Sequence, residues 1–233
     1  MPNRVPCNLL TLTDLGRPYG PLPDGRVMDS KEPPKPHTVE MAYHHVVPKL
    51  LLSTLWRDTV TPDKKTGDDV MGKSQKFMES LKGNVKFYTE IWKGSGGEMD
   101  LRDLPSLETL VGQIGNAAIK HDAGERSPRG WDDFWRIFLW LPANLFVGPK
   151  DRSDDPGPLF DEKADNIVEA NRFAALRKIN DKILAFRKSC ADPVAAEEAW
   201  DAMEVISPFG TVTHFDSDQW GWDETVNKPL IKG

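Results

Sequence analysis

The chain has 233 residues, enough for one large domain, and its hydrophobic share of 39% and charged share of 28% are those of a folded globular protein. Its two cysteines, Cys7 and Cys190, are too few for a disulfide framework and do not form the CxxC pairs of a thiolate zinc site. The formal net charge of −6 argues against a passive nucleic-acid coat protein, although an enzyme can concentrate its basic residues on one face.

The sequence carries no recognisable targeting or membrane signal. Its most apolar stretch, residues 135–147, is interrupted by Arg136 and Pro142 and is shorter than the roughly 18 apolar residues that cross a bilayer. The first twelve residues contain one basic residue and too short an apolar block for a secretory signal peptide. We therefore predict no membrane association and a cytoplasmic location, with export by a dedicated secretion system as the alternative.

The first elements along the chain are extended. Residues 1–38 are rich in proline and glycine, which predicts an extended arm, and residues 39–233 are predicted to form a single domain. Residues 39–47 contain β-branched and aromatic side chains and end before Pro48, which predicts a strand. A short helix is predicted to follow over residues 50–60.

Helical spacing dominates the middle of the chain. Apolar residues recur every three to four positions in residues 70–92 and 106–123, and these helices are predicted to belong to an insertion that covers about residues 62–130. Residues 131–141 predict a short aromatic helix that ends at Pro142.

The last third predicts two more helices. The longer covers residues 161–189, and the shorter covers residues 192–204 with Asp192 as its N-cap and Pro193 at its first position. The tail from Val205 is predicted to cover the core as a short strand and loop. Together these patterns predict an α+β fold that is mostly helical with a small β element.

The strongest chemical motif is the segment from Tyr43 to Pro48, which reads YHHVVP. Adjacent side chains near the end of a strand point to different sides, so one imidazole can bind a metal ion while the other faces a substrate. This division suits hydrolysis of a phosphodiester with one metal ion. A pair of surface or core histidines arising by coincidence is the alternative interpretation of the motif taken alone.

The string HHVVP resembles the HHxxP signature of the HNH/endonuclease VII superfamily of ββα-metal nucleases. In that family the first histidine of the pair usually binds the metal ion and the second is the general base. The resemblance implies that His44 is a metal ligand and that His45 is the general base. It also implies an endonuclease with a ββα-metal core, interrupted here by the helical insertion. Low sequence specificity is predicted because nothing in the sequence indicates contacts to base edges.

The family also has an asparagine that opens the segment leading into the helix of the ββα unit. Asn144, in the string PANLF, resembles that residue and would either fix the loop or contact the metal ion. In the family a further histidine after this asparagine usually binds the metal ion. That histidine is missing here, because no histidine occurs between Asn144 and Thr213. The resemblance therefore requires a carboxylate in its place, and Asp154 and Asp155 are the candidates.

Several of these residues have a structural alternative. Arg152 would contact a phosphate oxygen in the nuclease interpretation, whereas otherwise it would pair with Asp154 or Asp155. The segment 144–157 would then be a turn rich in proline and glycine, with its aspartates as caps.

A basic segment follows the candidate site within the long predicted helix. Arg177, Lys178 and Lys182 are predicted to contact nucleic-acid phosphates on neighbouring turns. The alternative is an ordinary solvated helix face, which is the usual explanation of a run of charges.

The predicted cofactor is one divalent metal ion held by His44 and by Asp154 or Asp155. Magnesium, manganese, zinc and nickel all remain candidates, since no thiolate set is present. Nucleic acid is the predicted partner, with DNA favoured over RNA. The family's bacterial toxin and effector members also imply an immunity or inhibitor protein as a partner.

Two other hypotheses for the function stay open beside the nuclease. One is a non-catalytic interaction protein in which the histidines are structural. The other is a metal hydrolase that acts on small phosphoesters. Metal-dependent cleavage of plasmid DNA would separate the nuclease from the interaction protein, and a panel of small phosphodiesters would address the hydrolase.

Overall fold

The computed structural model describes Tyr19 and residues 21–60, 73, 76–77, 138–189 and 193–233. These residues form an α+β fold with three α-helices and three two-stranded antiparallel pairs, so the predicted fold class is confirmed at that level. The helices predicted over 70–92 and 106–123, and with them the predicted insertion, lie outside the described residues except for three helical positions at 73, 76 and 77. The first seven residues of the helix predicted over 131–141 also lie outside them.

Part of the predicted N-terminal arm forms a β-hairpin. Strands β1 (Gly25–Met28) and β2 (Pro36–Val39) pair in antiparallel register, and Val27 of β1 is fully buried in the core. Tyr19 is also buried, and its hydroxyl donates to the carbonyl oxygen of Trp140 at 2.9 Å. The hairpin was not predicted, because each strand has only four residues. In β1 the only buried side chain larger than that of glycine is Val27.

The central pair joins two distant parts of the sequence. Strand β3 (Met41–His45) pairs with β4 (Leu145–Pro149), so that Met41 faces Pro149 and His45 faces Leu145. Every residue of β4 is buried. The strand predicted over 39–47 is therefore observed as β3, with Glu40 separating it from β2.

The helices follow the predicted order with one difference. Helix α1 (Lys49–Val60) confirms the prediction, and α2 (Ala170–Ser189) packs against α3 (Pro193–Ile206). A separate 3-10 helix (Glu162–Asn166) precedes α2, and the break between them lets both Ile167 and Val168 be buried. Within the part of the chain that the structure describes, no helix combines the length and apolarity needed to span a bilayer.

A C-terminal hairpin covers the central pair. Strands β5 (Trp220–Asp223) and β6 (Lys228–Ile231) are antiparallel, which agrees with the prediction that the tail covers the core. The Trp220 side chain packs so closely on Gly148 that a Cβ atom added there would lie 2.5 Å from the indole ring. Glycine at this position thus permits the close contact between the hairpin and β4.

Candidate metal and phosphate site

The two histidines lie at the end of β3 and line one pocket of about 340 Å³. One wall comes from the end of β3 and the first turn of α1, and the other comes from residues 155–158. The polar lining residues are Tyr43, His44, His45, Lys49, Asp155 and Asp161. The fold therefore brings the paired histidines and a carboxylate from the second half of the chain to the same place.

His44 faces Asp155 across this pocket. Its Nε2 atom lies 2.9 Å from the carbonyl oxygen of Pro149, and because a carbonyl only accepts, Nε2 carries the proton and donates it. In the neutral ring Nδ1 then has a free lone pair, and it lies 4.0 Å from Oδ2 of Asp155. Burial, together with the charge of Arg152, lowers the pKa of His44, so the ring is neutral at pH 7.

His45 is held in a similar way on the other side of the strand. Its Nε2 atom donates to the carbonyl oxygen of Leu139 at 3.1 Å, and its ring meets Trp140 edge to face. Burial, followed by the charge of Lys49, lowers the pKa of His45 to about 3. Nδ1 of His45 therefore carries a lone pair in the neutral ring, and His45 lines the pocket.

Asn144 connects the start of β4 to the segment that follows the histidines. Its buried side chain accepts from the backbone N–H of Val47 at 2.7 Å and donates to the Val47 carbonyl at 2.8 Å. Sequence reasoning left two roles for Asn144, and this geometry favours the role of fixing the loop.

Arg152 lies in a buried ion-pair cluster and does not line the pocket. Its Nε atom donates to Asp154 at 2.8 Å, and its two terminal nitrogens donate to Asp161 at 2.8 and 3.2 Å. The side chain of Arg152 is fully buried. The geometry therefore favours the structural interpretation of Arg152, with Asp161 as a partner that the sequence did not reveal.

The two candidate aspartates have different surroundings. Asp154 uses one oxygen for Arg152 and the other for the backbone N–H of Ile231 at 3.1 Å. Asp155 accepts from the N–H of Gly157 through Oδ1, directs Oδ2 toward His44, and has a side chain that is 42% exposed. Asp155, and not Asp154, is thus the carboxylate placed to share a ligand with His44.

Protein atoms alone do not complete a coordination shell here. Among the described residues, no group of three or more His, Cys, Asp or Glu side chains is arranged to hold a metal ion. His44 and Asp155 are two donors that the described residues bring to the same place.

Lys49 is a residue of the pocket that sequence reasoning missed. It is the first residue of α1, and its Nζ lies 4.3 Å from the centroid of the Trp140 ring. It is the one basic side chain among the residues that line this pocket, apart from the neutral histidines. Its position directly after the HHVVP string was the available signal.

The basic segment of α2 lies outside this pocket. Arg177 pairs with Glu162 and also stacks over Phe160, and Lys182 pairs with Glu198. Lys178 is exposed. None of the three basic residues is among those that line the pocket, and two of them are engaged with glutamates of the chain itself.

Comparisons with known proteins do not identify a family. No protein-family model matches the chain, and no solved structure matches it. The chain is similar to "Putative protein p9" of Acyrthosiphon pisum secondary endosymbiont phage 1, with 24% identity over 151 residues. The match covers 64% of this chain and 40% of the phage protein, so the chain spans well under half the length of that relative.

Proposed function

We propose that this protein is a metal-dependent nuclease that hydrolyses phosphodiester bonds of nucleic acid through a ββα-metal site. One observation carries the proposal: Nδ1 of His44 and Oδ2 of Asp155 approach to 4.0 Å across a pocket that also contains His45 and Lys49. A neutral imidazole and a carboxylate can hold a metal ion, a second imidazole can act as a general base, and a cation can stabilise the phosphate charge, so this set can support phosphodiester hydrolysis.

The order of the elements supports the same interpretation. Strand β3 carries the paired histidines at its end, strand β4 pairs with it, and helix α2 follows. Asn144 stands immediately before β4, and Asp155 stands between β4 and α2. Helix α1 and the residues after it separate the two strands along the chain, and a 3-10 helix precedes α2, so the order strand, strand, helix that the HHxxP resemblance implies is met only with insertions.

The donor set fits a divalent ion. Magnesium and manganese usually keep several waters and bind through one or two carboxylates together with substrate phosphates, while zinc and nickel accept imidazole readily. His44 also donates its other ring N–H to the Pro149 carbonyl, an arrangement that metal-ligating histidines almost always have. When bound to His44 and Asp155, the ion would stabilise negative charge on the phosphate and on the leaving oxygen.

His45 would act as the general base. The hydrogen bond to Leu139 fixes its tautomer, so that Nδ1 is the atom that accepts the proton of the attacking water. Burial holds the pKa of His45 at about 3, so the ring is neutral and can accept a proton. Lys49 would bind a non-bridging phosphate oxygen, with its stem supported by Trp140.

A small phosphodiester is the second candidate substrate. The pocket volume of about 340 Å³ is within the range of pockets that enclose small ligands, roughly 300–1,000 Å³. A nucleic acid would need to present only its scissile phosphate and adjoining sugar to this pocket, with the remaining chain lying outside it.

Cleavage assays test this proposal. Plasmid DNA, single-stranded DNA, RNA and a chromogenic small phosphodiester should each be incubated with magnesium, manganese, zinc or nickel, and with a chelator. We expect metal-dependent cleavage of nucleic acid that His45→Ala and Asp155→Asn abolish. Asp165→Asn is the matched control, because Asp165 is exposed and lines neither described pocket. No cleavage with any of the metals, or cleavage that survives in both variants, would refute the proposal.

A toxin or effector role with an immunity protein as partner is part of the same proposal. The HHxxP resemblance alone supports it. Growth arrest of bacteria that express the wild-type chain, and not the His45→Ala variant, would support this role. Unimpaired growth with the wild-type protein at the same expression level would argue against it.

A further inference from the structure

A second pocket, of about 590 Å³, adjoins the candidate site. Its walls come from the end of β2, the end of β4 and the C-terminal hairpin, and they include Lys150, Asp151 and Trp222. Pro149 lines this pocket, and its carbonyl oxygen accepts the hydrogen bond from His44, which lines the first pocket. Pro149 therefore lies between the second pocket and the proposed metal ligand His44.

Trp222 lines this second pocket, and its indole is held in a fixed orientation. His37 stacks on the indole with ring centroids 3.8 Å apart and planes inclined by 9°. The indole N–H donates to the side chain of Asn227 at 3.3 Å. His37 is in turn held by Asp29, 3.4 Å away. The indole therefore does not need to become ordered when a ligand binds.

The charged residues of this pocket cancel one another. Lys150 pairs with Glu40 at 2.9 Å, and Lys228 pairs with Asp151 at 2.8 Å, so two cations face two anions. Both ion pairs are exposed, and exposed pairs contribute little to stability, so these side chains can exchange partners with a ligand. The charges of the described lining residues balance, and a pocket with donors, acceptors and an indole suits an uncharged planar group with polar edges better than it suits a phosphate.

We infer that this pocket binds a nucleobase of the nucleic acid whose phosphodiester bond reaches the candidate site. The base would stack on the part of Trp222 that borders the pocket, and its polar edge would face the lysines, Glu40 and Asp151. This inference rests on the proposed function and deepens it, because it adds recognition of a base to recognition of the backbone. It also gives the enzyme a preference for single-stranded or unpaired nucleotides, whose bases can enter a pocket.

Binding without metal ion tests the inference independently of cleavage. A fluorescein-labelled single-stranded DNA hexamer that contains all four bases is compared with a hexamer of abasic nucleotides, by fluorescence anisotropy in the presence of a chelator. We expect the wild-type protein to bind the base-containing hexamer more tightly. Trp222→Ala should weaken that binding roughly five- to a hundredfold, as loss of one stacking contact does, and Trp222→Phe should retain most of it.

Two further variants keep this test decisive. Trp222 packs partly against the core, so Lys228→Gln is included as a change at the rim that removes no buried side chain. It should weaken binding of the base-containing hexamer more than binding of the abasic hexamer, whose phosphates it affects equally. Val205→Ala, at an exposed position of α3, is the matched control and should leave both affinities unchanged.

The possible failures are distinguishable. If the wild-type protein binds both hexamers equally or binds neither, the nucleobase site is refuted, whatever the cleavage assays give. If base-dependent binding is found while no metal supports cleavage, the proposed nuclease fails and the nucleobase site stands.

Discussion

Asn144 and Val47, 97 positions apart in the sequence, are joined by two reciprocal hydrogen bonds. The Val47 N–H donates to Oδ1 of Asn144 at 2.7 Å, and Nδ2 of Asn144 donates to the Val47 carbonyl at 2.8 Å. Both residues are buried, so neither bond can be replaced by bulk water. The pair ties the segment after the two histidines to the start of β4, and thereby holds the two halves of the candidate site together.

Replacing Asn144 by Ala should therefore destabilise the fold. The change leaves the N–H and the carbonyl of Val47 buried without partners, at a cost of roughly 2–5 kcal/mol in the free energy of unfolding. Denaturation in urea measures the effect. Asn171→Ala, at an exposed position of α2, is the matched control. A change within about 0.5 kcal/mol of wild type would mean that the pair contributes nothing to stability.

Gly148→Ala should disturb the packing beneath His44. The added Cβ would lie 2.5 and 2.6 Å from two ring carbons of Trp220 and 3.4 Å from the His44 ring. Because Trp220 is buried, its ring cannot move aside freely, and overpacking of this kind costs roughly 1–3 kcal/mol. Gly221→Ala is the control, because a Cβ at Gly221 would meet only the Lys232 side chain, at 3.5 Å. Thermal unfolding of the two variants compares their melting temperatures, and we expect Gly148→Ala to melt at the lower temperature. Equal melting temperatures for the two variants would contradict the prediction.

Arg152→Met should be more destabilising than Arg177→Met. Arg152 is fully buried and its loss leaves the buried carboxylate of Asp161 without its cation, which costs roughly 3–5 kcal/mol. Arg177 pairs with Glu162 at the surface, where an ion pair contributes at most about 1 kcal/mol. Equilibrium unfolding of both variants checks the difference. A loss in Arg152→Met as small as that in Arg177→Met would show that the buried cluster is dispensable.

The free energy of unfolding should fall as the pH is lowered below about 6.5. The pKa of His45 is depressed from 6.5 to about 3 in the folded protein, mainly by burial, so the unfolded chain takes up a proton that the folded chain refuses. The stabilising contribution is therefore complete above pH 6.5 and is lost progressively toward pH 3, at up to about 1.4 kcal/mol per pH unit. The lowered pKa of His44 acts in the same direction.

Unfolding in urea between pH 7.5 and 5, with a chelator present, measures this dependence above the range in which most carboxylates titrate. His45→Gln keeps an N–H that can donate to Leu139 and cannot titrate, so its stability should change less with pH. A pH dependence equal to that of the wild-type protein would assign the effect to other groups.

Local signals in the sequence were sufficient for several elements. Pro48 separated a strand from helix α1, and Pro193 marked the start of α3, because each proline fixes the backbone around it. Residues 25–39 gave no comparable signal, since four-residue strands show almost no periodicity. The break between the 3-10 helix and α2 was also not predicted. The apolar stripe continues through Ile167, although the backbone is not helical between residues 167 and 169.

The candidate site depended on contacts between distant residues. Pairing of β3 with β4 joins segments about a hundred residues apart, and no strand was predicted over residues 145–149. Sequence reasoning could not choose between Asp154 and Asp155, because they are neighbours and their roles depend on which one Arg152 reaches. Lys49 was overlooked because the position of its ammonium group depends on Trp140, which is distant in sequence.

Manganese binding tests the central claim most directly. Titration of the wild-type protein, followed by the electron paramagnetic resonance signal of free Mn²⁺, should reveal one site per chain. Replacing a residue that only orients a metal ligand lowers metal affinity roughly tenfold or more. His44 and Asp155 are proposed as ligands themselves, so Asp155→Asn and His44→Ala should each lower Mn²⁺ affinity by at least that factor. In Asp155→Asn the amide oxygen can still accept from Gly157, which preserves the loop. Asp151→Asn and His45→Ala should bind as the wild type does. Wild-type affinity in both Asp155→Asn and His44→Ala would contradict a metal site at this pocket.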